Sequence, residues 1–169
     1  MEDDVNQIKL ATHVLALARE KSLKIATAES CTGGLIGGSL TEIAGSSDVF
    51  DRGFITYSNE AKIEMLGVSK NMIEVFGAVS IQVVREMAEG ALAASNADIT
   101  ISVTGVAGPG ASDLKPEGLV WFGLARKGFE AKTEKCKFGA IGRHNVRQAT
   151  VMHALRMIEA SVEKPITAN

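Results

Sequence analysis

Alternating helix-period and strand-period segments with a late hairpin predict a three-layer α/β/α fold, built on a mixed, mostly parallel sheet with a late antiparallel hairpin. Three observations lead there. Apolar residues recur at helical spacing near both ends of the chain, at Ile8, Ala11, Val14, Leu15 and Ala18, and at Val151, Ala154, Leu155 and Ile158. Between them, Asp98–Val103 reads DITISV, a β-branched apolar run suited to a strand buried on both faces. Two further extended runs meet at Lys127-Gly128, a hairpin turn.

Taken in order, Asp4–Glu20 reads as an amphipathic helix and Lys24–Ala28 as a short strand. Glu29-Ser30-Cys31-Thr32-Gly33-Gly34 is a strand-to-helix turn, with Ser30 or Thr32 as the cap of a helix running to Ile43. Gly45–Ser47 breaks that helix, and Phe50–Tyr57 forms the next strand. Asn59 caps a helix through Leu66, which Gly67 ends, and Ser69–Phe76 is a shorter helical piece. Ser80 caps a helix whose apolar stripe is Val83, Val84, Met87, Ala88, Ala91 and Leu92. After the DITISV strand comes Thr104–Pro116, the longest irregular stretch. Leu119–Ala125 is a second buried strand, Phe129–Phe138 an edge strand with interleaved charges, and Arg143–Val162 the closing helix. The tail from Glu163 is expected to fray.

One domain over residues 1–169 accounts for this chain, which is long enough to bury roughly two-thirds of its unfolded surface. A net charge of -2 gives no general case for nucleic-acid or membrane binding. With no leader-like N-terminus and no apolar run near the ~20 residues that span a bilayer, the expectation is a cytoplasmic protein. Cys31 and Cys136 fit a reduced pair. His13, His144 and His153 fall on expected helices without a His-x-x-x-His or acidic cluster, so neither a metal nor a cofactor is expected. Many enzymes of this size form symmetric homo-oligomers, and one is expected here.

The segment Gly45–Lys62 carries Ser46, Ser47, Tyr57, Ser58 and Lys62. These are residues that acyl transfer needs where a His-Asp pair is lacking. A buried lysine of lowered pKa can take a serine proton, and a tyrosine can relay one. The Ser30–Gly34 turn could bind an anion through free helix N–H groups, or be an ordinary cap. The Thr104–Gly110 loop follows a buried strand, and ligands of α/β sheets bind outside such carboxyl ends.

Together these motifs resemble the CinA C-terminal domain family, which includes nicotinamide-nucleotide amidases. The resemblance lies in Ala28–Leu35, Gly53 with Tyr57-Ser58-Asn59 and Lys62, Gly77–Ser80, and Thr104-Gly105 through Gly110. It implies hydrolysis of the nicotinamide mononucleotide carboxamide to nicotinate mononucleotide and ammonia, feeding pyridine back to NAD synthesis. By position it implies Ser47 as nucleophile, with Ser46 beside it, Lys62 as base and Tyr57 as proton-transfer partner. Ser30, Thr32, Gly33, Thr104, Gly105 and Arg143 would bind the nucleotide. Two positions depart from the family pattern: Ile141-Gly142-Arg143 stands where Gly-Asp-Arg is usual, and Ala111 stands in place of a glycine. The rival reading is a nucleotide-binding or protein-interaction module linked to competence or DNA-damage responses. Such a module would need the glycine turns and Arg143, but not the serine and lysine together.

Overall fold

The computed structural model describes residues 2–165, with side chains from Val5 onward. The described elements are α1 (Glu2–Glu20), β1 (Ile25–Glu29), α2 (Leu35–Thr41), β2 (Phe50–Ile55), α3 (Asn59–Leu66), α4 (Lys70–Phe76), α5 (Ile81–Ala93), β3 (Ile99–Gly105), β4 (Leu119–Arg126), β5 (Lys132–Lys137) and α6 (Arg143–Glu163). A 3-10 turn at Ser46–Asp48 precedes β2. The strands lie in the order β2-β1-β3-β4-β5. The β2-β1-β3 portion is parallel, and β4 and β5 join it antiparallel. Helices α1, α2 and α6 cover one face and α3, α4 and α5 the other. This is the expected three-layer fold. No helix among the described residues is long and apolar enough to cross a membrane.

Several element boundaries move by a few residues: β2, for instance, ends at Ile55, before Tyr57. Helix α2 starts at Leu35, because Gly33 (φ 60°) and Gly34 (φ 102°) hold the preceding turn in the left-handed region that suits glycine. Neither Ser30 nor Thr32 caps it; Gly34 is the N-cap, without a side-chain cap bond. Strand β5 is shorter than Phe129–Phe138, since Phe129 still belongs to the turn and donates its N–H to the Arg126 carbonyl (3.0 Å). The tail expected to fray from Glu163 begins instead as helix, with α6 running to Glu163 and the Lys164 and Pro165 carbonyls accepting from Arg126; residues from Ile166 onward lie outside the described residues.

Strand β3 fixes the spacing of the layers. Strand residues alternate in direction. Ile99, Ile101 and Val103 therefore enter the core beneath α1 and α6, among Leu15, Ile25, Phe122, Leu155 and Ile158. Thr100, Ser102 and Thr104 take the opposite parity and are also buried. Their hydroxyls donate to the carbonyls of Ala88 (2.7 Å), Val84 (2.6 Å) and Ala78 (2.9 Å), on α5 and the turn before it. Buried hydroxyls need such partners, and here they draw α5 against the sheet. Space is correspondingly short. A Cβ on Gly123 of β4 would sit 2.4 Å from the Val84 carbonyl oxygen, and one on Gly90 of α5 1.9 Å from that of Leu66.

The chain passes outward from β1 to β2 through α2 on one face, then returns to β3 through α3–α5 on the other. The strand order therefore reverses between β1 and β3, and a crevice opens at their carboxyl ends. If α5 is seated this closely, Gly123→Ala should cost about 2 kcal/mol and lower Tm by roughly 6 °C, read by calorimetry. An unchanged Tm would show that α5 can give way without cost.

Candidate active site

The turn after β1 is organised by one carboxylate. Glu29, fully buried, ends β1 and turns its side chain onto the start of α2. One oxygen accepts the Thr32 hydroxyl (2.6 Å) and the amides of Gly34 and Ile36 (3.0 Å each), and the other accepts the amide of Gly37 (2.8 Å). The amino end of α2 thus receives its negative charge from inside the fold. Of the two readings of this turn, the amides of Gly34, Ile36 and Gly37 fit that of a cap, satisfied by a carboxylate of the chain itself. Arg147 of α6 holds the same turn from above, donating to the carbonyls of Cys31 (3.2 Å) and Thr32 (3.0 Å). Ser30 itself donates its N–H to the Val103 carbonyl (3.1 Å), which ties the turn to the end of β3.

Lys62 approaches from the opposite layer. Ser58, not the expected Asn59, caps α3 by accepting the Ala61 amide (3.0 Å), since Asn59 is already the first helical residue; this places Lys62 one turn in with its side chain directed back into the protein. Lys62 is only 1% exposed, and its Nζ donates to Ser30 Oγ (3.1 Å), to the Thr56 carbonyl (2.9 Å), and at 3.4 Å to the carbonyls of Tyr57 and Ser58. No carboxylate among the described residues forms an ion pair with it. Burial disfavours the ammonium and pushes the pKa of Lys62 below its ordinary value. A buried amine poised against a serine hydroxyl is the arrangement that activates a nucleophile without histidine.

At the mouth, Tyr57 is 61% exposed and its phenolic oxygen accepts from Arg143 Nη2 (3.0 Å). Arg143 Nη1 donates to the Gly108 carbonyl (2.9 Å). Glu117 accepts the amides of Gly110 (2.7 Å) and Gly142 (3.0 Å) and binds the loop to the start of α6. Several expected binding residues prove to be occupied otherwise. The hydroxyl of Thr32 is spent on Glu29 and that of Thr104 on Ala78. Gly105 is a glycine because a Cβ would meet the Leu119 carbonyl oxygen at 2.8 Å.

Ser47 does not join this group. It is exposed and lies before β2, whose first residue pairs with Ile25, whereas Ser30 follows Glu29 at the other end of β1. The intervening strand rise is about 13 Å. Around Ser47 the chain is held by Arg19, which binds the Asp48 carboxylate (2.7 Å) and the Gly45 carbonyl (3.0 Å). Ser46 is buried in the same turn. The structure therefore brings Ser30, Lys62, Tyr57 and Arg143 together and leaves Ser46 and Ser47 out. A signal for Ser30 was present: it follows a strand's carboxyl end, where α/β sheets bind ligands, and Ser47 precedes a strand. Glu29 had no comparable signal beyond its place ahead of two glycines.

The remaining reactive groups lie elsewhere or are silent. Burial pushes the Cys31 thiol up to about 12, so it is no nucleophile at neutral pH. His13 does meet acidic groups, Glu159 (3.4 Å) and Glu163, with three donor atoms within 4.8 Å of one another on the α1–α6 surface. This corrects the expected isolation of the histidines, but the group is solvent-exposed and remote from Lys62. A cavity of about 290 Å³ lies between β4, β5 and the far end of α6, lined by Leu124, Phe129, Met157 and Arg126 among others. Its guanidinium is committed to the carbonyls of Ser161, Lys164 and Pro165 and stacks on Phe129. None of the Ser30–Lys62 group lines it.

The sequence matches the family model of the CinA C-terminal domain over residues 7–162. It is 48% identical over 151 residues to a putative competence-damage inducible protein of Caldicellulosiruptor saccharolyticus, covering 88% of this chain but only 36% of that protein. It is 50% identical over 149 residues to the nicotinamide-nucleotide amidohydrolase PncC of Enterobacter agglomerans, covering 88% of this chain and 90% of the relative. Among solved structures, the competence/damage inducible protein CihA of Agrobacterium tumefaciens superposes with a TM-score of 0.90 at 46% identity, covering 94% of this chain and 96% of that one. Sequence and fold agree: the chain belongs to the CinA C-terminal domain family.

Proposed function

We propose that this protein hydrolyses the carboxamide of nicotinamide mononucleotide to nicotinate mononucleotide and ammonia, with Ser30 in place of Ser47 as nucleophile and Lys62 as its base. The observation that carries this reading is the buried Lys62 amine 3.1 Å from Ser30 Oγ, without a carboxylate partner among the described residues. The likeness to a relative named nicotinamide-nucleotide amidohydrolase supports the substrate. A binding module would have no use for an amine buried at such cost.

Neutral Lys62 takes the Ser30 proton as Oγ attacks the carboxamide carbon. The backbone amide of Thr32, for which no backbone acceptor is seen among the described residues, would receive the oxyanion. As the C–N bond breaks, the lysine ammonium protonates the departing amide nitrogen, and ammonia leaves behind an ester on Ser30. Water then gives a proton to Lys62 and attacks that ester. The proton returns to Ser30 as the carboxylate departs, so the cycle closes without a cofactor. Tyr57, accepting from Arg143, keeps its own phenolic proton free for the ring substituent. Arg143, exposed at the start of α6, receives the phosphate, and the remote contact helps hold the ring in line.

Ammonia release from nicotinamide mononucleotide tests the assignment. Ser30→Ala and Lys62→Met should each lose about 10³-fold or more in kcat, while Ser47→Ala should stay within about 2-fold of the parent. Loss in Ser47→Ala with full activity in Ser30→Ala would restore the earlier nucleophile. The pH dependence has a fixed sign. Lys62 must be neutral to act, so kcat/KM should rise with pH and level off above its pKa, which lies below the ordinary 10.5. A profile that stays flat between about pH 6 and pH 10 would remove Lys62 from the role of base.

A further inference from the structure

We propose that Glu29 is the positioning residue of the catalytic turn, a buried carboxylate whose four hydrogen bonds set Ser30 in line with Lys62. This rests on the assignment of Ser30 as the nucleophile. The residue is held on its main chain as well as its side chain: its carbonyl accepts the Thr56 amide (2.9 Å), and the next amide, that of Ser30, donates to Val103 (3.1 Å). From this fixed point the carboxylate reaches forward over the turn to Thr32, Gly34, Ile36 and Gly37. Ser30 is therefore bracketed by an anchored residue behind it and a turn that the same residue has gathered ahead of it.

The turn needs this hold. Gly33 and Gly34 both sit at positive φ and have no side chain to limit their motion. Without the carboxylate, three amides and a hydroxyl in a buried place lose their acceptor, and the two glycines let the segment drift to find others. The loss would displace Ser30 Oγ from the Lys62 amine and shift the Cys31–Thr32 backbone that follows it. The nucleotide contacts at Arg143 and Tyr57 stand on other elements and would remain. A positioning role thus falls on kcat, and a role confined to helix capping falls on stability alone.

Glu29→Gln keeps the shape but turns one acceptor into a donor, and Glu29→Ala removes both oxygens. Both are made in a Cys136→Ser background, leaving Cys31 inside the turn as the only thiol. The expected results are a kcat lowered about 10-fold in E29Q and about 100-fold in E29A, with KM within about 3-fold of the parent. Added formate, a free carboxylate, should restore kcat in E29A several-fold but leave the parent unchanged. Cys31 should react faster with 5,5′-dithiobis(2-nitrobenzoate) in both variants, a readout independent of the amidase reaction. Unchanged kcat and an equally protected Cys31 would overturn the proposal, as would a lowered Tm with kcat intact. If E29A does not fold, E29Q decides alone by the same measurements. Absence of ammonia release from the parent would sink the amidase reading, while Cys31 would still report whether Glu29 holds the turn.

Discussion

A primary amine taken out of water is the constraint around which this molecule is arranged. Lys62 is surrounded by carbonyls and one hydroxyl, with no anion to neutralise it among the described residues. In such surroundings the neutral form gains on the ammonium. That makes the side chain a better-placed base than an exposed lysine, but it also makes the site costly to fold. The cost is met by elements on three sides: the Thr56–Ser58 segment supplying carbonyls, α3 supplying the lysine, and the Glu29 turn supplying the serine.

Those elements come from opposite faces of the sheet, so their meeting depends on how closely the layers pack. The hydroxyls of β3 secure α5 and the turn before it. From α5, packing of Leu66, Val83 and Met87 carries the position on to α3. On the other face, Arg147 carries the position of α6 to the Cys31–Thr32 carbonyls. The links from β3 to α5 and from α6 to the Cys31–Thr32 turn are short polar contacts, where misplacement is felt more sharply than in the apolar packing that joins α5 to α3.

The layer order, the hydrophobic strands and the helix cap at Ser80 were legible because each rests on local periodicity or on a side chain next to its own helix, whereas the cap of α3 fell one residue before the expected Asn59, on Ser58. The serine that contacts Lys62 was not legible. Proximity along the chain favoured Ser47 for Lys62, but a parallel strand places its two ends on opposite sides of the molecule, so the serine that meets the lysine amine is the one thirty-two residues away and not the one fifteen residues away. The cap of α2 was hidden for a related reason. The carboxylate that supplies it belongs to the preceding strand, and only the left-handed turn at Gly33 and Gly34 folds it back.

Helix α6 gives the site a property that its local contacts do not show. It is a rod of 21 residues, about 31 Å long, with Arg143 and Arg147 at one end. Its other end is clamped from two directions, by Arg126 of β4 on the Ser161 and Lys164 carbonyls and by Lys21 after α1 on those of Val162 and Glu163. A stiff element fastened at its tail resists sliding along its own axis, so the register of both arginines is governed at the distant end of the molecule. Mechanical control of the mouth and chemical control of the serine are thereby housed in separate regions of the fold.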